Sequence, residues 1–199
     1  MSEKYEFYYN QSFFNHLNIK DDEFSSSFES EISSISIEEE KELKIQITKS
    51  IISILTELIE INQKNSKKNN LNLDDDIFNS KSIPNISTYD YLLRIIEFSN
   101  IEENTLILSL IYIDKIAKIK KITKYNIHKY LITSALIALK YNEDEIYQNH
   151  YYSQIGGINY EELMELELNF LVLIDFNVYI NNETFEQYKS ALQLLINNN

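Results

Sequence analysis

Across 199 residues this chain carries two glycines and one proline. The proline is Pro84, and the glycines are the adjacent pair Gly156 and Gly157. Strand-rich folds turn often, and their turns draw on Gly and Pro for backbone angles that other residues adopt only at a cost. A chain so short of breakers is steered towards helices joined by polar loops. The expected fold class is therefore all-α. Hydrophobic residues make up 44% of the chain, enough for one sizeable core, and the length suits one domain with extensions.

Composition removes several functions from consideration. The chain has no cysteine, which excludes disulfides, thiolate nucleophiles and cysteine-based zinc sites. That fits a reducing, intracellular setting, nuclear or cytoplasmic. The net charge of −13 argues against generic nucleic-acid binding, which needs clustered Lys and Arg at the phosphates. The longest largely apolar run, Tyr130 to Leu139, falls short of the roughly 18 residues of a membrane span. The first residues are polar and include Glu3 and Glu6, unlike a secretory signal.

Along the chain, residues 1–36 read as a disordered acidic and Ser-rich arm, with Phe13, Phe14 and Phe24 as apolar exceptions. From 37 to 63 the pattern is helical: Leu43, Ile47, Ile51, Ile54, Leu58 and Ile61 step by three or four. Residues 64–82 read as a linker. Its Asp74, Asp75 and Asp76 lack the ligand spacing and turn glycine of a calcium loop. Five helical segments then fill 83–180, and an amphipathic helix closes the chain at 181–199. Within the five, Asn100 with Glu103 and Asn159 with Glu162 have the spacing of helix N-caps. The third segment is apolar nearly all round, through Leu131, Ile132, Ala135, Leu136, Ala138 and Leu139, so it is expected at the centre of the globule.

The chain offers little for catalysis. It has no spaced glycines for a phosphate loop and no Gly-x-Ser-x-Gly elbow. His16, His128 and His150 are scattered and form no zinc motif. No enzymatic role and no cofactor are expected. Two charges interrupt apolar helix faces: Arg94 among Leu92, Leu93, Ile95 and Ile96, and Asp114 after Ile111, Tyr112 and Ile113. Burying an unpaired charge is costly, so they either pair between the first and second segments or snorkel separately to solvent. Lys140 ends the apolar third segment, and Glu167 lies among Leu166, Leu168 and Phe170. These are either surface charges or a polar clamp for a partner's backbone or helix end. Lys115, Lys118, Lys120, Lys121, Lys124 and Lys129 cluster near the second connection, as a solvated face or as a contact for phosphate or an acidic partner.

Several stretches together resemble a known family. Tyr89-Asp-Tyr-Leu-Leu-Arg94, Leu110-Ile-Tyr-Ile-Asp114 and Asn126-Ile-His128 through Lys140 are similar to the first three helices of a cyclin box. Lys140-Tyr-Asn-Glu-Asp144, Tyr147-Gln-Asn149, Tyr152-Ser-Gln-Ile-Gly-Gly-Ile158 and Glu162 to Glu167 resemble the phosphate-signalling cyclins of fungi and the P-type and U-type cyclins. The resemblance spans about 83–180. Lys129 stands where Arg is usual, Glu143 where Asp is common and Met164 where Asn is common.

The resemblance implies a five-helix box around its third helix, with flanking helices. It implies a regulatory subunit that binds and activates a cyclin-dependent protein kinase by docking on its PSTAIRE-like helix. Lys140 and Glu167 are the implied polar contacts, and Tyr141, Leu171, Phe176 and Val178 the implied hydrophobic seat. Arg94 and Asp114 are implied to form a buried inter-helix pair. Glu97 and Asn100 occupy positions where cell-cycle cyclins carry an apolar residue and a tryptophan for substrate docking. The competing readings are a cyclin-fold adaptor that activates no kinase and a DNA-binding initiation factor. The latter needs two repeats and a basic surface.

Overall fold

A computed structural model describes residues 21–67 and 76–197, with side chains described for 41–64 and 76–197. The described residues form seven helices and no strand: α1 (Asp21–Lys67), α2 (Thr88–Ser99), α3 (Glu103–Ala117), α4 (Ile127–Asn142), α5 (Asn149–Gly156), α6 (Tyr160–Leu173) and α7 (Asn182–Asn197). The chain divides into compact units at 1–43 and 44–199. In the first, the described residues are the opening turns of α1.

The start of α1 departs from the expected disordered arm. Residues 21–36 are helical, and the helix begins at Asp21 rather than Ile37. Asp21, Asp22 and Glu23 suit the positive end of a helix, and Phe24, Phe28 and Ile32 recur every four residues. Ser-rich composition hid that periodicity. Residues 1–20, with Phe13 and Phe14, lie outside the described residues, as do Asp74 and Asp75 of the linker.

The buried row of α1 is Ile47, Ile51, Leu55 and Ile59, each at most 5% exposed. The expected stripe shared Ile47 and Ile51, but Ile54 and Ile61 face solvent at 37% and 47%. A strict spacing of four follows the i, i+4 ridge of the helix. An alternating three-and-four spacing crosses to the neighbouring ridge. Asn62 ties α1 to the loop after α3 by donating to the Ile122 carbonyl at 3.0 Å.

The expected central helix is α4. Every residue from Tyr130 to Leu139 is buried, and α4 contacts α2, α3, α5 and α6. Its buried hydroxyls are satisfied within the helix, Thr133 on the Lys129 carbonyl and Ser134 on that of Leu131. At one end Tyr130 stacks on Phe78, with ring centroids 4.3 Å apart, and Phe170 of α6 meets both rings edge-on.

Both glycines have a local cause. Gly157 ends α5 in the left-handed region at φ 66°, where glycine is unstrained. Gly156 is a close approach: a Cβ there would stand 3.0 Å from Ile132 Cγ1 of α4. Asn159 caps α6, accepting from the Glu162 amide at 2.7 Å. Asn100 differs from its expected role. It ends α2 at φ 54°, and Glu102 is the N-cap residue of α3. The Glu102 amide is satisfied from outside the helix, by Glu143 Oε1 at 2.9 Å.

Candidate functional site

Lys140 lies in the last turn of α4, and Glu167 mid-way along α6. Packing of these two helices brings the side chains together, Nζ to Oε1 at 2.6 Å. The carboxylate is largely buried, at 11% side-chain exposure, and the lysine is more open, at 32%. Asn149, at the start of α5, donates to the other Glu167 oxygen at 3.2 Å and to Met164 Sδ at 2.8 Å. Glu167 is thus engaged on both oxygens. Lys140 still has ammonium protons that Glu167 does not take.

Around this pair lies an apolar surface. The inward face of α6 buries Leu163, Leu166 and Phe170. The opposite row, Met164, Leu168 and Val172, is 39–58% exposed. Of the other expected seat residues, Tyr141 is 46% and Phe176 59% exposed, while Leu171 and Val178 are half-buried; Tyr141 lines a cavity with Leu108, Tyr179 and Phe185 rather than with the α6 row. No sequence expectation covered an exposed row of Met164, Leu168 and Val172. The signal was present: a helix apolar on both faces has one face left over once the core is filled.

The segment after α6 is held in an unusual shape. Asp175 and Phe176 both adopt left-handed backbone, at φ 55° and 52°, which is rare for such residues and strained for a bulky one. The Phe176 amide turns back to the Leu171 carbonyl at 2.8 Å. From α3, the Tyr112 hydroxyl donates to the Val178 carbonyl at 2.8 Å and Lys115 Nζ to that of Asn177 at 2.6 Å. Burial pushes the Tyr112 phenol well above its usual range and draws the Lys115 ammonium below its own. Packing on α3 thereby fixes a turn that presents Phe176 to solvent.

Comparison with known proteins agrees with this architecture. The sequence model of the cyclin family matches residues 24–178. This chain belongs to the cyclin family. It is 35% identical over 120 residues to Cyclin-U2-2 of Arabidopsis thaliana, covering 59% of this chain and 52% of that one. It is 38% identical over 119 residues to Cyclin-U4-3 of the same plant, covering 58% and 54%. It is 37% identical over 120 residues to the PHO85 cyclin-like protein psl1 of Schizosaccharomyces pombe, covering 58% and 49%. The chain spans about half the length of these curated relatives.

One expectation from the cyclin resemblance fails. Arg94 and Asp114 form no buried pair. Asp114 pairs with Lys118 at 3.0 Å and accepts from the Tyr188 hydroxyl at 2.7 Å, its side chain 40% exposed. Arg94 lies over the Tyr91 ring, its guanidinium carbon 5.0 Å from the centroid, and its Nε has no partner. The packing explains the difference: α2 rests on α4 and α5, whereas α3 rests on α4 and α7. The closing helix α7 supplies the partner that α2 was expected to give. Burial, reinforced by the Asp114 contact, holds the Tyr188 phenol well above its usual range.

The lysine cluster is also largely committed. Lys118 pairs with Asp114, Lys120 with Asp76 at 2.9 Å, and Lys129 with Glu162 at 2.9 Å as well as the Ile77 carbonyl. With Lys115 on Asn177, these lysines mostly tie segments together, and no concentrated anion site results. No helix among the described residues is long and apolar enough to cross a membrane, and no cluster among them has metal-ligand geometry.

Proposed function

We propose that this cyclin is the regulatory subunit of a cyclin-dependent protein kinase, docking on the kinase's PSTAIRE-like helix through the α4–α6 face. The observation that carries the reading is the Lys140–Glu167 pair set within the exposed row Met164, Leu168 and Val172. Apolar side chains on that row give affinity by burial, at about 25 cal/mol per Å² removed from water. The polar pair gives register. Glu167 and Asn149 position the ammonium, and Lys140 donates to carbonyls at the end of the partner helix, where negative dipole charge collects. Tyr141, Leu171, Phe176 and Val178 complete the seat for the partner's apolar face.

Activation then follows as a population shift. A kinase helix held inward brings its glutamate to the lysine that positions ATP. The cyclin favours this state by binding it more tightly than the inactive one. The chain itself contributes no reacting group.

The test is affinity purification of the tagged chain from its own cells, with mass spectrometry and a kinase assay on the eluate. A stoichiometric cyclin-dependent kinase, absent with Lys140→Glu, is the expected result. A folded chain that retains no kinase would instead favour the adaptor reading.

A further inference from the structure

A second feature lies apart from the α6 row. Where the start of α3, the end of α4 and the start of α7 meet, a cavity of about 360 Å³ is lined by three aromatic side chains, Tyr141, Tyr179 and Phe185. Of its lining residues only Tyr141 is also assigned to the kinase seat. We propose that this cavity binds the adenine ring of an uncharged nucleoside.

Size and walls are the first argument. Sites that hold a small molecule run to roughly 300–1,000 Å³, with mostly apolar and aromatic walls and a few placed polar groups. This cavity falls in that range. Three aromatic side chains around one space favour a flat ligand, because every nucleobase has a face that stacks on such a ring. Tyr179 is 67% exposed and Tyr141 46%, so both have surface left to cover. Leu108, 6% exposed, and half-buried Ile180 add apolar wall.

The amides select the base. Asn142 and Asn182 both line the cavity. Asn142 donates Nδ2 to Thr105 Oγ1 at 2.8 Å, which orients the amide and leaves Oδ1 to accept. Asn182 opens α7, yet Asn181 does the capping, its Oδ1 accepting from the Thr184 amide at 2.8 Å. The Asn182 amide thus keeps an acceptor and a donor side by side. Adenine presents an exocyclic amine beside a ring nitrogen, the pattern that one Asn amide reads with two hydrogen bonds. The second amine proton suits Asn142 Oδ1.

Charge sets the rest of the ligand. No Asp, Glu, Lys or Arg lines the cavity. The third amide, Asn104, receives Lys189 Nζ at 3.5 Å, and that ammonium also pairs with Glu103 at 3.5 Å. A phosphate finds no uncommitted cation among the lining residues, so a nucleoside fits and a nucleotide gains nothing. The walls are also held in advance. Tyr112 fixes the Val178 carbonyl at 2.8 Å just before Tyr179, and the Phe185 amide donates to the Asn181 carbonyl at 3.1 Å. Binding then needs little reorganisation.

The test is calorimetric titration of the full chain with adenosine, with inosine, which carries a carbonyl in place of the amine, and with adenosine monophosphate. Adenosine should bind, and inosine should bind about tenfold more weakly for want of the two-bond amide pairing. The monophosphate should bind no more tightly than adenosine. Adenosine affinity should fall about tenfold in Tyr179→Ala through lost stacking, and about tenfold in Asn182→Ala through lost base contacts. Both positions are exposed, so the fold is retained, and circular dichroism checks this. Leu168→Asp should bind adenosine as wild type does, which separates this cavity from the proposed kinase face. Absence of adenosine binding, equal binding of inosine, tighter binding of the monophosphate, or wild-type affinity in either cavity variant would overturn the proposal. Loss in Leu168→Asp would overturn it too, by moving the nucleoside to α6.

Discussion

Asp114 is the residue whose partner the structure changes, and a double-mutant cycle measures that change directly. Tyr188→Phe removes one hydroxyl, the one donated to Asp114 at 2.7 Å. A hydrogen bond to a charged group contributes about 1.5–3 kcal/mol. Here the carboxylate side chain is 40% exposed and keeps Lys118 at 3.0 Å, so water and the lysine absorb part of the loss. The expected cost is about 1–1.5 kcal/mol, a drop in Tm of roughly 3–5 °C for a domain of this size. In a cycle with Asp114→Ala, measured by urea denaturation, Tyr188 should couple to Asp114 by about 1 kcal/mol. Arg94→Ala and Asp114→Ala should instead be additive within about 0.5 kcal/mol, because the two share no contact. A buried pair between Arg94 and Asp114 would behave otherwise. Breaking it from either side would cost about 3–5 kcal/mol and couple strongly. Strong coupling of Arg94 to Asp114, with none from Tyr188, would refute the packing of α7 described above.

Other consequences are open to the same kinds of assay. Gly157→Ala forces a Cβ into φ 66° and sets it 3.3 Å from the Arg94 guanidinium; it should destabilise by about 1–2 kcal/mol in urea, and an unchanged midpoint would contradict the left-handed cap. His128 is 7% exposed with Nε2 on the Ile86 carbonyl, and burial draws its pKa below the ordinary value. Its neutral form therefore stabilises the fold above the unfolded pKa of about 6.5, and that contribution is lost as pH falls through the lower folded pKa. The wild type should lose stability on acidification from about pH 7 to 5.5, and His128→Gln should lose less over that window; parallel profiles would remove His128 as the cause. Leu168→Asp, on the exposed row of α6, should leave the urea midpoint within about 0.5 kcal/mol of wild type, while abolishing kinase capture.

Much of the fold was legible because the signals were local. Scarce glycine and proline gave the all-helical class, and the apolar circumference of α4 gave the centre. Asn159 before Glu162 gave a true cap. Asn100 before Glu103 had the same spacing and failed, because Asn100 takes the left-handed state that ends α2 and a carboxylate from the distant loop at Glu143 serves the next helix. Lys140 and Glu167 were legible through family resemblance, and the structure brings them to 2.6 Å. What stayed hidden depended on tertiary packing. The partner of Asp114 sits 74 residues away in α7, where no local pattern points to it. The exposed row of α6 emerges only when the core has taken Leu163, Leu166 and Phe170. The lysine cluster left a solvated face and an anion contact both open until its partners, Asp76 and Glu162 among them, were in place.

The central claim is that the α4–α6 face holds a kinase helix, and a binding titration tests it most directly. Purified wild type, Lys140→Glu and Leu168→Asp would each be titrated by calorimetry against the cyclin-dependent kinase recovered with the chain. Wild type should bind, and each variant should lose about 2–5 kcal/mol of affinity, the range for truncating contacts at a desolvated interface. Kinase binding of wild-type strength by both folded variants would contradict the account and place the interface elsewhere on the molecule.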